Sequence, residues 1–227
     1  MGTDWVELFD LDLAKVVIRL DRPGLERFLR ERGPALVDRD RRTAEAFHAD
    51  VTEQMRASAR SVVVVGQHGP DAERTARARE EAVRELEDGL ASHLAELVEQ
   101  AAGRWSGLAE RLREGDDLPD LRRQVAWAAG ALSHELPLDY WGCLAAALQG
   151  ADVERTCETN LVLEPDNPDG ATVFFLGPPQ VDLMIASLRA NWSQVERMGD
   201  ADLRRLVEYR GRCADEPGVR VAYHIDY

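Results

Sequence analysis

The chain has 227 residues, 44% of them hydrophobic, enough to bury a sizeable core, which excludes a short peptide scaffold and a disordered tail. Charged residues make up 31%, and 42 acids against 28 bases leave a formal net charge of -14, which argues against general affinity for nucleic acid or anionic lipid. Cys143, Cys157 and Cys213 are widely spaced and odd in number, so they supply neither a disulfide framework nor a CxxC metal or redox motif and point to a reducing cytoplasm.

Asp4, Glu7, Asp10 and Asp12 occupy a start with no basic or apolar leader character, so no export is expected. Trp5 to Leu20 mixes acidic and apolar residues, and the β-branched Val16-Val17-Ile18 run predicts a strand at its end. Asp21-Arg-Pro-Gly then opens a short helix carrying Leu25, Phe28 and Leu29, closed by Gly33-Pro34. A second helix from Asp40 to Ala59 repeats Phe47, Val51 and Met55 every four positions, the spacing of one buried face. Val62 to Val65 reads as a short buried strand or the end of that helix, followed by a turn at Gly66 to Pro70.

The longest helical pattern runs from Pro70 to about Gly103. Its nearly heptad stripe is Val83, Leu86, Leu90, Leu94, Leu97 and Ala101. Leu86, Leu90, Leu94 and Leu97 are expected in the core, each costing on the order of 2–5 kcal/mol as alanine if fully buried. Leu108 to Arg113 forms a separate short helix, and the Gly115 to Pro119 break marks a candidate subdomain boundary. The next helix carries Leu121, Val125, Ala128 and Leu132; the one after runs from Tyr140 to Leu148. Residues 160–164 and 171–176 are predicted to form a hairpin around Pro165-Asp-Asn-Pro-Asp-Gly170. Pro178-Pro179 opens a helix with Val181, Met184, Ile185 and Leu188 on one face, Asp200 caps a last helix bearing Leu203, Leu206 and Val207, and Val219 to Tyr227 alternates as a terminal strand. The expectation is a predominantly helical single α+β domain spanning 1–227 with a small antiparallel sheet. The longest apolar stretch, Val125 to Leu132, is too short to span a bilayer.

No motif assembles an evident active site. Glu45-Ala-Phe-His48 places a carboxylate and an imidazole on one helix face, but a di-iron bundle needs that pair twice and no second Glu-x-x-His occurs. His93, on the leucine stripe, is expected to bury its ring; His134 sits at a helix C-terminus, where the macrodipole favours it; His224 reads as a cross-strand or surface partner beside Asp226. Gly66-Gln-His-Gly69 resembles an anion cradle but lacks the Lys-Ser/Thr of a P-loop, and an ordinary turn is the simpler reading. Cys143 lies in an apolar helix as an inert core thiol. No metal site and no cofactor is predicted.

Charge layout says more. Residues 116–175 hold 11 acids against 3 bases, a net of -8 that is more than half of the whole chain's -14. Asp116, Asp117 and Asp120 surround a loop and helix start, and Asp166 and Asp169 lie in the hairpin turn, so these five form a candidate acidic rim. Tyr140 and Trp141 are the candidate anchors inside it, being large amphipathic side chains of the type enriched at interface centres. Core aromatics within a solvated acidic shell would give the same pattern.

Phe174-Phe-Leu-Gly-Pro-Pro-Gln-Val181, followed by Ile185 and Leu188, resembles the YfbM-like family of small bacterial proteins of unknown function, in which a late strand ending in Leu-x-Pro-x-x-Val opens a helix. Gln124-Val-Ala-Trp127 and Leu148-Gln-Gly150 look like its mid-chain tryptophan helix and glycine turn, so the likeness covers about residues 118–215. It implies an α+β fold and transfers no catalytic residue. The leading expectation is a cytoplasmic, non-catalytic protein-binding module of immunity or regulatory type whose acidic face meets a basic protein partner. The alternative is a small hydrolase or transferase built around Glu45 and His48, with His68 as a third candidate.

Overall fold

The structure, a computed structural model, describes residues 4–61, 70–138, 142–149, 173–195 and 198–225. It shows a predominantly helical α+β fold with a small antiparallel sheet. Strand β1, Asp4–Asp10, comes first, and the opposite faces of an extended chain explain its pattern: Val6 and Leu8 enter one core while Trp5, Glu7 and Phe9 belong to the other side. Asp10 ends the strand by accepting the Leu13 N–H at 2.9 Å, which caps helix α1, Leu11–Val17. The strand expected at Val16 to Ile18 is therefore helix. Leu11, Ala14 and Val17 recur every three residues and are buried while Val16 is exposed, so helical spacing overrides β-branched propensity here.

Helix α2, Arg22–Ser61, runs without interruption through Pro34, where the sequence predicts a break between two helices. Leu25, Leu29, Leu36 and Ala44 are buried on both sides of the proline, and Pro34 itself is exposed. A continuous buried face outweighs one missing backbone donor. Helix α3, Pro70–Glu114, likewise absorbs the predicted stop at Gly103 and the separate 108–113 helix, because Ala101, Trp105, Leu108 and Leu112 form one buried stripe across it. Gly115, at φ +96°, turns the chain out of the helix.

The expected core stripe is corrected further up α3. Leu90, Leu94 and Leu97 are half-buried, and His93 is exposed; the Leu86 and Met55 side chains and residues 62–69 lie outside the described residues. The chain divides into two compact units, Met1–Arg30 with Leu108–Tyr227, and Glu31–Gly107. Residues 115–119, the candidate boundary read from sequence, fall inside the first unit.

The first unit then adds α4, Leu118–Gly130; β2, Leu136–Leu138; α5, Gly142–Ala147; β3, Val173–Leu176; α6, Pro178–Ala190; α7, Asp200–Asp215; and β4, Val219–His224. The cap of α7 is Gly199 rather than Asp200, and Val207 is exposed on it. Strand β3 is the described part of the predicted hairpin; its other strand and turn lie outside the described residues. Strand order is β2-β1-β4-β3, all antiparallel. One face packs Val6, Leu8, Phe174, Leu176, Val221 and Tyr223 with the buried residues of α5, α6 and α7. The other meets α4 through Phe9, Phe175 and Trp127.

Candidate functional site

That second face holds the polar cluster. Register places His224 of β4 opposite Trp5 of β1, and Ala222 opposite Glu7. Glu7 is 8% exposed, a cost for a carboxylate unless it is paired. Its Oε1 accepts a hydrogen bond from His224 Nε2 at 2.9 Å, joining residues 217 apart in sequence. Trp5 stacks on the imidazole with centroids 4.9 Å apart and planes within 9°. Trp127, from α4, tilts against the same imidazole at 6.0 Å and packs on Phe9 and Phe175.

Glu135 joins this group by strand geometry. Leu136 pairs with Val6, so the preceding residue comes beside Glu7. Its carboxyl is held above the ordinary glutamate range, first by partial burial and then by repulsion from Glu7, with His224 acting in the opposite direction. The Trp5 and Trp127 Nε1 atoms are buried without a hydrogen-bond partner.

It does not assemble a nucleophile. The partner of His224 is Glu7, and Ser133 Oγ is occupied by accepting the Leu8 N–H at 2.8 Å while donating to the His134 carbonyl. Burial pushes the Cys143 thiol up to about 12 and Cys213 up to about 11, so neither offers a thiolate near neutrality. Tyr223, raised mainly by burial, donates to Asp4 at 2.7 Å as a core hydrogen bond.

The acids singled out from sequence take a different local role. Asp117 accepts the Asp120 N–H at 3.2 Å as the N-cap of α4. Arg111 bridges Asp116 at 2.7 Å and Asp120 at 3.2 Å, and Asp120 also accepts from Gln124. That Gln124 hydrogen bond, followed among the favourable contacts by Arg111, holds Asp120 below the usual carboxylate range against a smaller opposing effect of burial. Asp117 is exposed and the other two are partly so, but they join α3 to α4 through bound charge. Tyr140, Trp141, Asp166 and Asp169 lie outside the described residues, as do His68 and the Gly66 to Gly69 turn.

Glu45 is exposed and pairs with Arg41 at 2.6 Å, while His48 is half-buried with its Nε2 unpartnered. Among the described residues no group of three or more His, Cys, Asp or Glu side chains is placed to hold a metal ion. No helix among them is long and apolar enough to cross a membrane. The residues missed from sequence are Trp5, Glu7 and Glu135. The Trp5-Val-Glu7-Leu-Phe9 alternation carried a signal for them, but only the pairing of the first and last strands connects it to His224. No family model, curated protein or solved structure matches the chain.

Proposed function

We propose that this chain is a non-catalytic, cytoplasmic protein-binding module of immunity or regulatory type, recognising a basic protein partner. The observation that carries the reading is the concentration of 11 acids against 3 bases in residues 116–175, of which Glu135 is brought next to Glu7 by the Val6–Leu136 register. A cationic side chain arriving beside Glu135 would offset its repulsion from Glu7, and a pair partly shielded from water is worth more than a rim carboxylate in open water. Glu135 belongs to the acidic 116–175 stretch, so the partner class follows from both charge layout and local chemistry. Asp116, Asp117 and Asp120 contribute field more than contact because Arg111 and the α4 cap already engage them. The buried free thiols Cys143 and Cys213 fit a reducing compartment.

The test uses the full chain as bait in host lysate at low and high salt, with Glu135→Gln and an Asp116→Asn/Asp117→Asn double variant in parallel. Captured proteins are identified, and a basic one is then titrated as a purified component against the tryptophan emission. Binding weakened about tenfold or more by Glu135→Gln and by salt supports the reading; each 1.4 kcal/mol is a factor of ten. No basic partner, or one indifferent to both salt and Glu135→Gln, overturns it.

A further inference from the structure

Two carboxyl groups lie side by side where β1 meets the start of β2. Val6 pairs with Leu136 and both enter the core on the first sheet face, so alternation puts Glu7 and Glu135 on the other side. Between that pair and the bridge of Phe9 to Ala131, residues 132–135 lie against Glu7 and Leu8 alone, a bulge that delivers Glu135 to the strand. The bulge is held by the Leu132 N–H donating to the Leu8 carbonyl at 2.8 Å and by the Leu8 N–H donating to Ser133 Oγ at 2.8 Å. Beyond it β2 has three residues, and Pro137 among them brings no backbone donor to the ladder. Strand β2 also stands at one end of the described sheet, so little besides β1 pairs with it there.

We propose that Glu7 and Glu135 form a pH-operated catch on β2: protonated Glu135 donates its O–H to the Glu7 carboxylate and holds the strand closed, and ionised Glu135 turns to solvent and loosens it. Glu7 has an acceptor available. Its Oε1 accepts from His224 Nε2 at 2.9 Å, while Oε2 makes no hydrogen bond or ion pair among the described residues. Glu135 has no such partner among them either, and it is exposed, so its proton comes from water and returns there. An O–H donated to a carboxylate is a strong hydrogen bond, and like charges on neighbouring strands repel. Burial first and Glu7 second hold the Glu135 carboxyl above the ordinary glutamate range, the direction that a proton held between two carboxyl groups requires. The catch is therefore closed below the folded value and released as pH rises through it. From β4, His224 faces the pair and acts in the opposite direction. From α7, Tyr209 donates its hydroxyl to the carbonyl of the adjoining His134 at 3.2 Å, with Arg205 and Glu208 acting on Tyr209. From α4, Trp127 adds only an uncharged ring against the imidazole.

The inference does not rest on the basic-partner reading, because it is tested on the free full chain. Carboxyl carbon NMR, with Glu135 assigned by its loss in Glu135→Gln, should show this group titrating above the ordinary glutamate range and returning toward it in Glu7→Gln. Hydrogen exchange of the Leu136 and Leu138 amides, corrected for intrinsic rates, should show an opening constant that grows about threefold or more from about pH 5 to about pH 8. Glu135→Gln keeps a donor that never ionises, so its opening constant should stay at the low-pH value throughout. His224→Gln keeps a donor to Glu7 without a titrating ring, and the pH response should survive in it. A Glu135 carboxyl that titrates in the ordinary range overturns the proposal. So does a β2 opening constant that is flat with pH in the parent, one that still rises in Glu135→Gln, or one that loses its pH dependence in a folded His224→Gln.

Discussion

A single methyl group is enough to disturb the second sheet face. A Cβ built at Gly130 would meet the Phe9 ring, approaching Cε1 at 2.6 Å and Cε2 at 2.8 Å, and Phe9 is fully buried with Trp127 and Phe175 against it. Gly130→Ala should therefore cost about 1–3 kcal/mol in urea unfolding, as overpacking does. Gly103→Ala is the control, since nothing lies near its Cβ and an interior helical glycine is worse than alanine by about 1 kcal/mol; it should stabilise. Equal effects at both sites would contradict the close approach. Glu135 gives a prediction of different kind. Its carboxyl is raised in the folded protein, so the fold binds that proton more tightly than the unfolded chain does, and the ionised form is the destabilising one. Stability assigned to this group is present below the unfolded value and declines as pH rises through the folded one. Glu135→Gln should thus unfold at a higher temperature than the parent at pH 7, with the difference shrinking on acidification to below the ordinary glutamate range. A gap that widens as pH falls would reverse the sign.

At the scale of elements, long-range contacts decide where helices stop. Arg22, in the first turn of α2, donates Nη1 to the Leu112 carbonyl and Nη2 to the Asp116 carbonyl at 2.6 Å, so one guanidinium satisfies acceptors at the end of α3. Arg22→Met should lose about 1.5–3 kcal/mol in chemical denaturation, the scale of hydrogen bonds to a charged group. Arg22→Lys should recover little of it, because an ammonium lacks the two-pronged geometry. Full recovery by lysine would mean that charge alone matters there. The same scale separates what the sequence reveals from what it conceals. Helix α6 is legible because Pro178-Pro179 and the Val181, Met184, Ile185, Leu188 stripe act within one element, and all four are buried. The breaks expected at Gly33-Pro34 and Gly103 are local signals overruled by buried stripes that continue past them. The Glu7–His224 contact is concealed for a related reason: each residue has an ordinary local setting, and only sheet order brings them together.

Across the whole molecule the two units differ in how their stability is built. The first contains the sheet, with Val6, Leu8, Phe9, Val221 and Tyr223 at or near zero exposure and helices packed against it. The second has a half-buried seam and a run of exposed acids on α3, so its helices gain less from burial per residue ordered. Burial of apolar area is the main favourable term, and backbone amides far from such burial exchange through local opening well below the global unfolding free energy. Native-state hydrogen exchange should therefore separate the units. Amides of β1, β4 and α6 should exchange only through global unfolding and respond to denaturant with the full equilibrium slope. Those of α3 between Glu85 and Glu99 should exchange faster and with a shallow slope, because little surface is exposed when the segment opens. Uniform protection across both units at low concentration would show that they unfold as one cooperative body, and the difference in burial would then have no thermodynamic counterpart.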